Sequence, residues 1–173
     1  MKAKYAKILD DLVVVVDTRE KENKHILKFF NDHNIKYKIE KVEVGDYSVD
    51  FPTYQLDYEF LNRGINVERK SGLSEIATNF SFNRDRFARE FERLEKGKIQ
   101  LVIEDNTWGD VLLGNYKSEM KPNALAASLI SWSLRYNCQF WIVPKDQSGS
   151  LIYRILYYGA REMIKEIEIM ETF

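Results

Sequence analysis

The tripeptide Glu68-Arg69-Lys70 places a carboxylate and two cations at the end of a short stretch that begins at Ile65. Side chains alternate along a β-strand, so a strand here would direct Glu68 and Lys70 to one face and Arg69 to the other. A carboxylate and an ammonium group on one face can hold a divalent cation and a phosphate oxygen side by side. The tripeptide alone is a weak signal, because three consecutive charged residues arise by chance in roughly a few per cent of chains of this length.

Three further acids, Asp17, Asp46 and Glu104, stand where predicted strands end or where the chain turns beside them. Strand ends converge in α/β sheets, so these acids are expected to lie near Glu68. Asp46 and Glu68 would supply carboxylate oxygens to magnesium, with Lys70 orienting or deprotonating the attacking water. Each acid also has a simpler interpretation: Asp17 as a helix N-cap, Asp46 as a turn residue, and Glu104 as an acid that faces solvent or a basic neighbour.

Arg86, Arg89 and Arg93 lie at i, i+3 and i+7 of a predicted helix and therefore share one face. Such a face can follow a phosphate backbone. Three glutamates on the same helix make an ion-paired, solvent-exposed face an equally good interpretation. We single out Arg86 because it is closest in sequence to the strand that bears Lys70.

Apolar patterning predicts the elements that would position these residues. The predicted strands cover residues 12–16, 35–44, 65–70, 99–104 and 140–143. The predicted helices pass through Ile26 and Phe30, cover 73–80, and run from Asn83 to Gly97, from Pro122 to about Tyr136, and from Leu151 to about Ile169. Residues 47–64 are predicted to form a hairpin or loop, whose Tyr54, Tyr58 and Phe60 either stack on unpaired bases or pack against the sheet. Strands that alternate with helices predict one α/β domain with a mixed, mostly parallel central sheet flanked by helices.

The composition limits the class of protein. A chain of 173 residues with 45% hydrophobic residues is predicted to fold as one domain. The single cysteine, Cys138, excludes an intrachain disulfide and indicates a reducing, intracellular setting: cytoplasmic, nucleoid-associated, or nuclear in a eukaryote. No apolar run reaches the roughly 20 residues that span a bilayer, so no membrane partner is expected. The net charge of -1 means that nucleic-acid binding would depend on local basic clusters, and His25 and His33 are interpreted as surface residues.

Taken together, these residues resemble the nuclease domain of the XPF-type excision-repair endonucleases, which have a restriction-endonuclease-like fold. The resemblance covers roughly residues 12–160 and rests on four segments in order: Asp17 to Glu20 after the valine strand, Gly45 to Tyr47, Val67 to Ser71, and Asn83 to Phe87 followed by the strand at 101–104.

This family implies Mg²⁺- or Mn²⁺-dependent cleavage of DNA near branches, flaps or forks, in DNA repair or recombination. Carried over by position, Asp46, Glu68 and the backbone carbonyl of Arg69 become metal ligands, and Lys70 becomes the catalytic lysine. Asp17 becomes an acid of the same site. The side chain of Arg69 is expected to orient the site by pairing with an acid. The resemblance also implies a set of supporting or DNA-contacting residues: Arg19, Glu20 and Arg86.

Family members usually carry a tandem helix-hairpin-helix module after the nuclease domain, and we expect it to be absent here because only one predicted helix follows Val143. DNA affinity would then depend on a partner protein or a homodimer. An apolar set would either form a symmetric interface or pack on the sheet: Trp132, Tyr153, Tyr157 and Tyr158. A catalytically silent DNA-binding or scaffold relative is the main alternative, but the intact Asp, Glu and Lys set argues against it. An enzyme for a small phosphorylated substrate is disfavoured because no glycine-rich phosphate loop is present.

Overall fold

The valine run forms an internal strand, next to the edge strand, in a layered α/β fold. A computed structural model of the chain describes residues 3–54, 65–93 and 98–170. These residues form a six-stranded sheet: β1 (Val13–Asp17), β2 (Tyr37–Glu40), β3 (Tyr47–Asp50), β4 (Ile65–Lys70), β5 (Lys98–Glu104) and β6 (Gln139–Val143). The helices are α1 (Ala3–Asp10), α2 (Lys24–Asp32), α3 (Leu73–Ser81), α4 (Arg84–Glu92), α5 (Trp108–Leu113), α6 (Pro122–Tyr136) and α7 (Lys145–Met170).

The strands lie in the order β2-β1-β3-β4-β5-β6. The pairs β1–β2, β4–β5 and β5–β6 are parallel, whereas β3 runs antiparallel to both β1 and β4. The predicted mixed, mostly parallel sheet is therefore confirmed. The carboxyl ends of β1, β4 and β5 and the start of β3 meet at one edge of the sheet, and this edge brings the predicted acids together.

Each face of the sheet has its own apolar core. On one face, α1, α2 and α7 cover Val14, Val16 and Val67. On the other face, α3 to α6 cover Ile99, Leu101 and Ile103 with a cluster of aromatic side chains. Strand β4 contributes Ile65 and Val67 to the first of these cores. Its alternate residues, among them Glu68 and Lys70, lie on the other face of the sheet.

Two predicted segments differ from the observed structure. The strand predicted over 35–44 is only four residues long, Tyr37–Glu40, and Ile39 is 59% exposed because β2 is an edge strand. The predicted hairpin or loop over 47–64 begins as the internal strand β3, in which Tyr47 and Val49 are buried. Tyr54 is 39% exposed, while Tyr58 and Phe60 lie outside the described residues.

The helices also include features that the sequence did not predict. Helices α1 and α5 were not predicted, and α7 begins at Lys145 rather than at Leu151. The predicted cap at Asn83 makes no side-chain capping hydrogen bond. None of the helices within the described ranges is both long enough and apolar enough to cross a membrane.

Of the two alternatives for Trp132, an interface or packing within the domain, the structure shows packing. Its side chain is 1% exposed and packs against the rings of Phe80, Phe87 and Phe91 between α3, α4 and α6. Tyr153 and Tyr157 pack against the other core and are only partly exposed, whereas Tyr158 is 47% exposed. Cys138 is buried, as expected for a small apolar residue.

Candidate active site

A tight turn fixes Asp46 at the start of β3. Gly45 has a φ of +85°, and a Cβ at this position would lie 2.9 Å from the carbonyl oxygen of Val67, so only glycine fits easily. The Asp46 N–H donates to that same oxygen at 2.8 Å, and the Asp17 N–H donates to the Asp46 carbonyl at 2.8 Å. The backbone of Asp46 is thereby held between β1 and β4.

Glu68 and Lys70 lie on the same face of β4, as the strand alternation predicted. Lys70 Nζ is 2.6 Å from Glu68 Oε1, and the two side chains are 9% and 13% exposed. The ammonium group also lies 3.5 Å from Glu75 Oε1 and 5.3 Å from the ring centre of Phe87. The Lys70 side chain is therefore confined between two carboxylates and an aromatic wall.

Both acids of the cleft are costly to ionise. Burial and the nearby charge of Glu68 raise the pKa of Asp46 well above its usual value, and the hydrogen bond from the Arg69 N–H opposes only part of this shift. That bond joins Arg69 N to Asp46 Oδ2 at 2.8 Å. Burial raises the pKa of Glu68 as well, despite the contact with Lys70. The carboxylates are close enough to repel each other in a poorly solvated place.

Burial by itself favours the neutral form of Lys70, but the carboxylates of Glu68, Glu75 and Asp46 outweigh it and raise the lysine pKa. Lys70 is consequently a cation at neutral pH. Its chemistry in this state is that of a fixed positive charge rather than of a base.

Arg19 reaches the cleft from the loop after β1. Its guanidinium binds Asp17 through Nε–Oδ1 at 2.7 Å and Nη2–Oδ2 at 3.0 Å, and it donates to the Val42 carbonyl at 2.9 Å. Its side chain is still 65% exposed. The Arg19 side chain is thus fixed in place while its outer surface remains open to a ligand.

Asp17 itself supports Arg19. Its oxygens also accept hydrogen bonds from the backbone N–H groups of Arg19 and Val42, both at 2.7 Å. Although burial opposes ionisation of Asp17, these bonds lower its pKa. It does not cap α2, which begins after Asn23. The family resemblance implied that Asp17 is an acid of the site. In the structure its carboxylate is bound by the Arg19 guanidinium.

The side chain of Arg69 lies on the opposite face of β4 and binds two acids, as expected. Its Nη2 donates to Glu20 Oε1 at 3.0 Å, and its Nη1 donates to Glu104 Oε2 at 2.8 Å. His25 Nε2 lies 2.6 Å from the second oxygen of Glu104. His25, interpreted as a surface residue, is partly exposed but also contacts a buried carboxylate. The interpretation of Glu104 as an acid beside a basic neighbour is confirmed.

A cleft of about 320 Å³ opens over the Glu68 and Lys70 face. Its wall includes Asp46 and three arginines: Arg19, Arg86 and Arg93. Arg86 comes from α4 and is 77% exposed, with its Nε 3.8 Å from Glu90 Oε1. The cleft therefore combines paired carboxylates with cations that remain available to an anionic ligand.

A family model described as the ERCC4 domain matches residues 16–155. The chain belongs to the ERCC4 domain family. The XPF-type resemblance inferred from the sequence is therefore confirmed.

Two solved structures share the fold of this ERCC4 domain. XPF from Aeropyrum pernix matches with a TM-score of 0.58 at 19% identity, covering 86% of this chain and 60% of that chain. XPF from Aeropyrum pernix in complex with DNA matches with a TM-score of 0.61 at 18% identity, covering 87% of this chain and 66% of that chain. The chain thus spans less than two thirds of the length of these relatives. None of the curated proteins compared with it matches.

Asp46 and Glu68 give the ERCC4 domain a donor set that fits a hard divalent cation. Within residues 3–54, 65–93 and 98–170, no three His, Cys, Asp or Glu side chains are grouped as a metal site. Mg²⁺, however, often takes one or two carboxylates and completes its shell with waters and substrate phosphates. Burial raises the pKa of both acids, and a bound cation would favour their ionised forms and so offset this cost. The backbone carbonyl of Arg69 as a third ligand stays a prediction.

Two residues of the ERCC4 domain were missed by sequence reasoning. Glu75 accepts hydrogen bonds from the N–H and hydroxyl of Ser71 besides its contact with Lys70. It stands in the first turn of α3, an ordinary position for an acid, so nothing in the sequence distinguished it. His25 is far in sequence from Glu104, and only the packing of α2 against the sheet brings them together.

Proposed function

We propose that the chain is a metal-dependent DNA endonuclease. The observation that carries this proposal is the Glu68–Lys70 pair at 2.6 Å, beside a second carboxylate, Asp46, whose pKa burial raises. This arrangement suits phosphodiester hydrolysis, in which water attacks phosphorus, one P–O ester bond breaks, and negative charge grows on the phosphate and leaving oxygens. Membership of the ERCC4 domain family and the fold shared with XPF support DNA as the substrate.

Lys70 provides the fixed positive charge. Its raised pKa keeps it protonated, and its low exposure places that charge where water screens it weakly. Glu68 and Glu75 hold the ammonium group from two sides. In this proposal Lys70 orients the attacking water by donating to it and stabilises the charge that develops on the phosphate.

Arg19 and Arg86 contact the phosphate backbone. Arg19 is held by Asp17, so little side-chain freedom is lost when it binds a phosphate. Arg86 Nε lies 3.8 Å from Glu90 Oε1, a long contact on a side chain that is 77% exposed, and Arg86 exchanges this partner for DNA. Because the net charge of the chain is -1, these local cations carry the electrostatic part of DNA binding.

Asp46 and Glu68 hold the metal ion, Mg²⁺ or Mn²⁺. When bound, the ion supplies Lewis-acid activation and neutralises charge on the phosphate. The residues of the chain perform the remaining tasks. The Arg69 N–H keeps the Asp46 carboxylate in place, and Lys70 does the same for Glu68.

The experiment is cleavage of labelled duplex, single-stranded, flap and fork DNAs with Mg²⁺ or Mn²⁺, beside an EDTA control. We expect cutting near the branch of flaps or forks, and a loss of about a hundredfold or more in kcat for Lys70→Ala. Lys28→Ala is the matched control, because this lysine is 74% exposed and pairs with Asp32 on α2 rather than with a residue of the cleft. Cutting that persists in EDTA or in Lys70→Ala would contradict the proposal.

DNA binding without cleavage of any substrate would favour the alternative, a catalytically silent DNA-binding or scaffold subunit. The position of Lys70 argues against this alternative. A buried lysine held by two carboxylates is costly to maintain unless the charge is used.

We also propose that the chain self-associates to bind DNA. Five large apolar side chains are exposed on α5 and α6: Trp108, Leu112, Leu113, Ile130 and Leu134. Helix α6 carries only one charged residue among its 15, Arg135, so a symmetric contact would bury no unpaired charge in its centre. Buried Trp132 takes no part in this surface.

A further inference from the structure

Strand β4 carries two separate polar groups, one on each face. Glu68 and Lys70 face the cleft, while the Arg69 side chain faces α2 and binds Glu20 and Glu104. Arg69 belongs to both groups, because its backbone N–H donates to Asp46 Oδ2 at 2.8 Å. The ion pairs that hold the Arg69 side chain therefore also restrain the Arg69 peptide N–H that binds Asp46.

Glu104 is the anchor of the Arg69 guanidinium. Its side chain is fully buried at the end of β5, where one oxygen accepts from Arg69 and the other lies 2.6 Å from His25 Nε2. A buried carboxylate requires donors for both oxygens. His25 is the donor for the second oxygen, since a carboxylate can only accept.

His25 ties this pair to α2. It stands in the first turn of the helix, whose residues Ile26 and Phe30 are fully buried in the core. The helix backbone is thereby fixed relative to the sheet, and the imidazole, 23% exposed, closes over Glu104 from the solvent side. Without the ring, water would reach the Glu104 oxygen that His25 contacts, and the Glu104 side chain could rotate away from Arg69.

We infer that His25 is a positioning residue of the nuclease site: it orders Glu104, which orders Arg69, whose N–H then holds the Asp46 carboxylate. The inference rests on the proposed function for its effect on cleavage, but its structural part is independent of catalysis. The residues on the face of the sheet opposite the cleft would thus help to position the site. Groups that orient a ligand through another residue typically change activity or metal affinity by about tenfold or more when removed.

The test uses the full chain with three variants. His25→Ala removes the donor, and His25→Gln keeps an N–H that can reach Glu104. His33→Ala is the matched control, because it removes the other of the chain's two histidines. The His33 ring is hydrogen-bonded to the Phe29 carbonyl and stacked on the Phe29 ring, away from Glu104. Two-dimensional NMR measures the shift and solvent exchange of the Arg69 amide proton, without DNA or metal.

We expect His25→Ala to shift the Arg69 amide signal and to speed its exchange about tenfold, while His25→Gln and His33→Ala leave it within about twofold of the wild type. In cleavage assays, kcat of His25→Ala falls about tenfold with KM for DNA unchanged, and His25→Gln restores it. A merely stabilising role would lower Tm and leave both readouts of the folded protein unchanged, which would overturn the inference. So would a His25→Gln variant as impaired as His25→Ala.

Two safeguards separate this result from other failures. If the wild type cleaves no DNA, the proposed function fails, yet the Arg69 amide still decides the positioning role. If His25→Ala does not fold, ¹H–¹⁵N spectra of the wild-type histidine rings decide instead. We expect a slowly exchanging proton on His25 Nε2, and an unprotonated Nε2 would overturn the inference.

Discussion

Asp46 and Glu68 show how a candidate site is built at the cost of local stability. Each carboxyl group is largely withdrawn from water, and the charge of Glu68 adds to the ionisation cost of Asp46. The supporting contacts reduce this cost without removing it: Lys70 for Glu68, and the Arg69 N–H for Asp46. Such a pair is expected where a ligand will later supply the missing positive charge.

Replacing Asp46 should therefore stabilise the protein while abolishing cleavage. A group whose pKa is higher in the folded chain binds more protons when folded, so its ionisation destabilises the fold as pH rises above the unfolded value of about 3.8. Asp46→Asn removes this penalty and still accepts from the Arg69 N–H. In EDTA at pH 8 we expect Tm to rise by roughly a few degrees, with the difference shrinking as pH falls and disappearing near pH 4.

Thermal unfolding followed by circular dichroism at several pH values checks this prediction. Glu92→Gln on the exposed side of α4 is the control, and its Tm should stay near that of the wild type at every pH. Added Mg²⁺ should stabilise the wild type more than Asp46→Asn, because only the wild type keeps both carboxylates. A lower Tm for Asp46→Asn than for the wild type at pH 8 would show that ionised Asp46 does not destabilise the fold.

At the scale of elements, β4 is the strand on which the site depends, and α7 is pressed against it. Gly159 of α7 faces Ile65 at the start of β4, and a Cβ at this glycine would lie 2.5 Å from Ile65 Cδ1 and 2.9 Å from Ile65 Cβ. The Cβ atom of Ile65 is attached to the backbone and cannot rotate away. Glycine is therefore required here by the close approach of helix and sheet rather than by its backbone conformation.

Gly159→Ala should destabilise the fold by about 1–3 kcal/mol, the usual cost of an added methyl in a packed contact. Urea denaturation gives the free energy of unfolding. Gly109→Ala in α5 is a matched control, since the nearest atom to its added Cβ is Thr107 Oγ1 at 3.4 Å. We expect that control to be neutral or slightly stabilising, because alanine favours helix more than glycine. Equal effects of the two substitutions would show that the α7–β4 contact is not tight.

The whole molecule presents two different surfaces. The cleft lies at the carboxyl ends of β1, β4 and β5 and is lined by charged residues. The surface of α5 and α6 is apolar, with Leu113 75% exposed and Leu134 81% exposed. Large apolar patches on a protein surface typically mark protein contacts. The residues described as lining the cleft come from outside α5 and α6, so the proposed self-association would leave the cleft accessible to DNA.

Leu134→Glu should convert a dimer into a monomer at micromolar concentrations, because it buries a charge without a partner in the interface. Sedimentation velocity over a hundredfold range of concentration measures the change. Ile39→Glu, at the exposed edge strand β2, supplies a control of the same chemistry on a separate surface. The proposal of self-association is wrong if the wild type sediments as a monomer throughout this range, or if Ile39→Glu has the same effect.

The sequence by itself determined much of this protein. The valine run, the alternation in Ile65 to Lys70 and the helical spacing of Leu73, Ile76 and Phe80 predicted β1, β4 and α3, because local periodicity reflects which face is buried. Alternation also predicted that Glu68 and Lys70 share a face and that Arg69 lies on the other, and the family resemblance implied that Arg69 pairs with an acid there. The short elements α1 and α5 and the central strand β3 were missed, since few residues give little periodicity.

Only the tertiary structure decided how the predicted residues divide their tasks. Asp17 ends β1 and Asp46 directly precedes β3, at the same end of the sheet. The carboxylate of Asp17 binds Arg19, whereas that of Asp46 lies near Glu68. The sequence left Trp132 either in an interface or packed in the domain, and helices α3 and α4, distant in sequence, bury it. His25 finds Glu104 across 79 residues of sequence. Periodicity reports the face on which a side chain lies, whereas partners across the sheet depend on strand order and helix packing, which no local pattern contains.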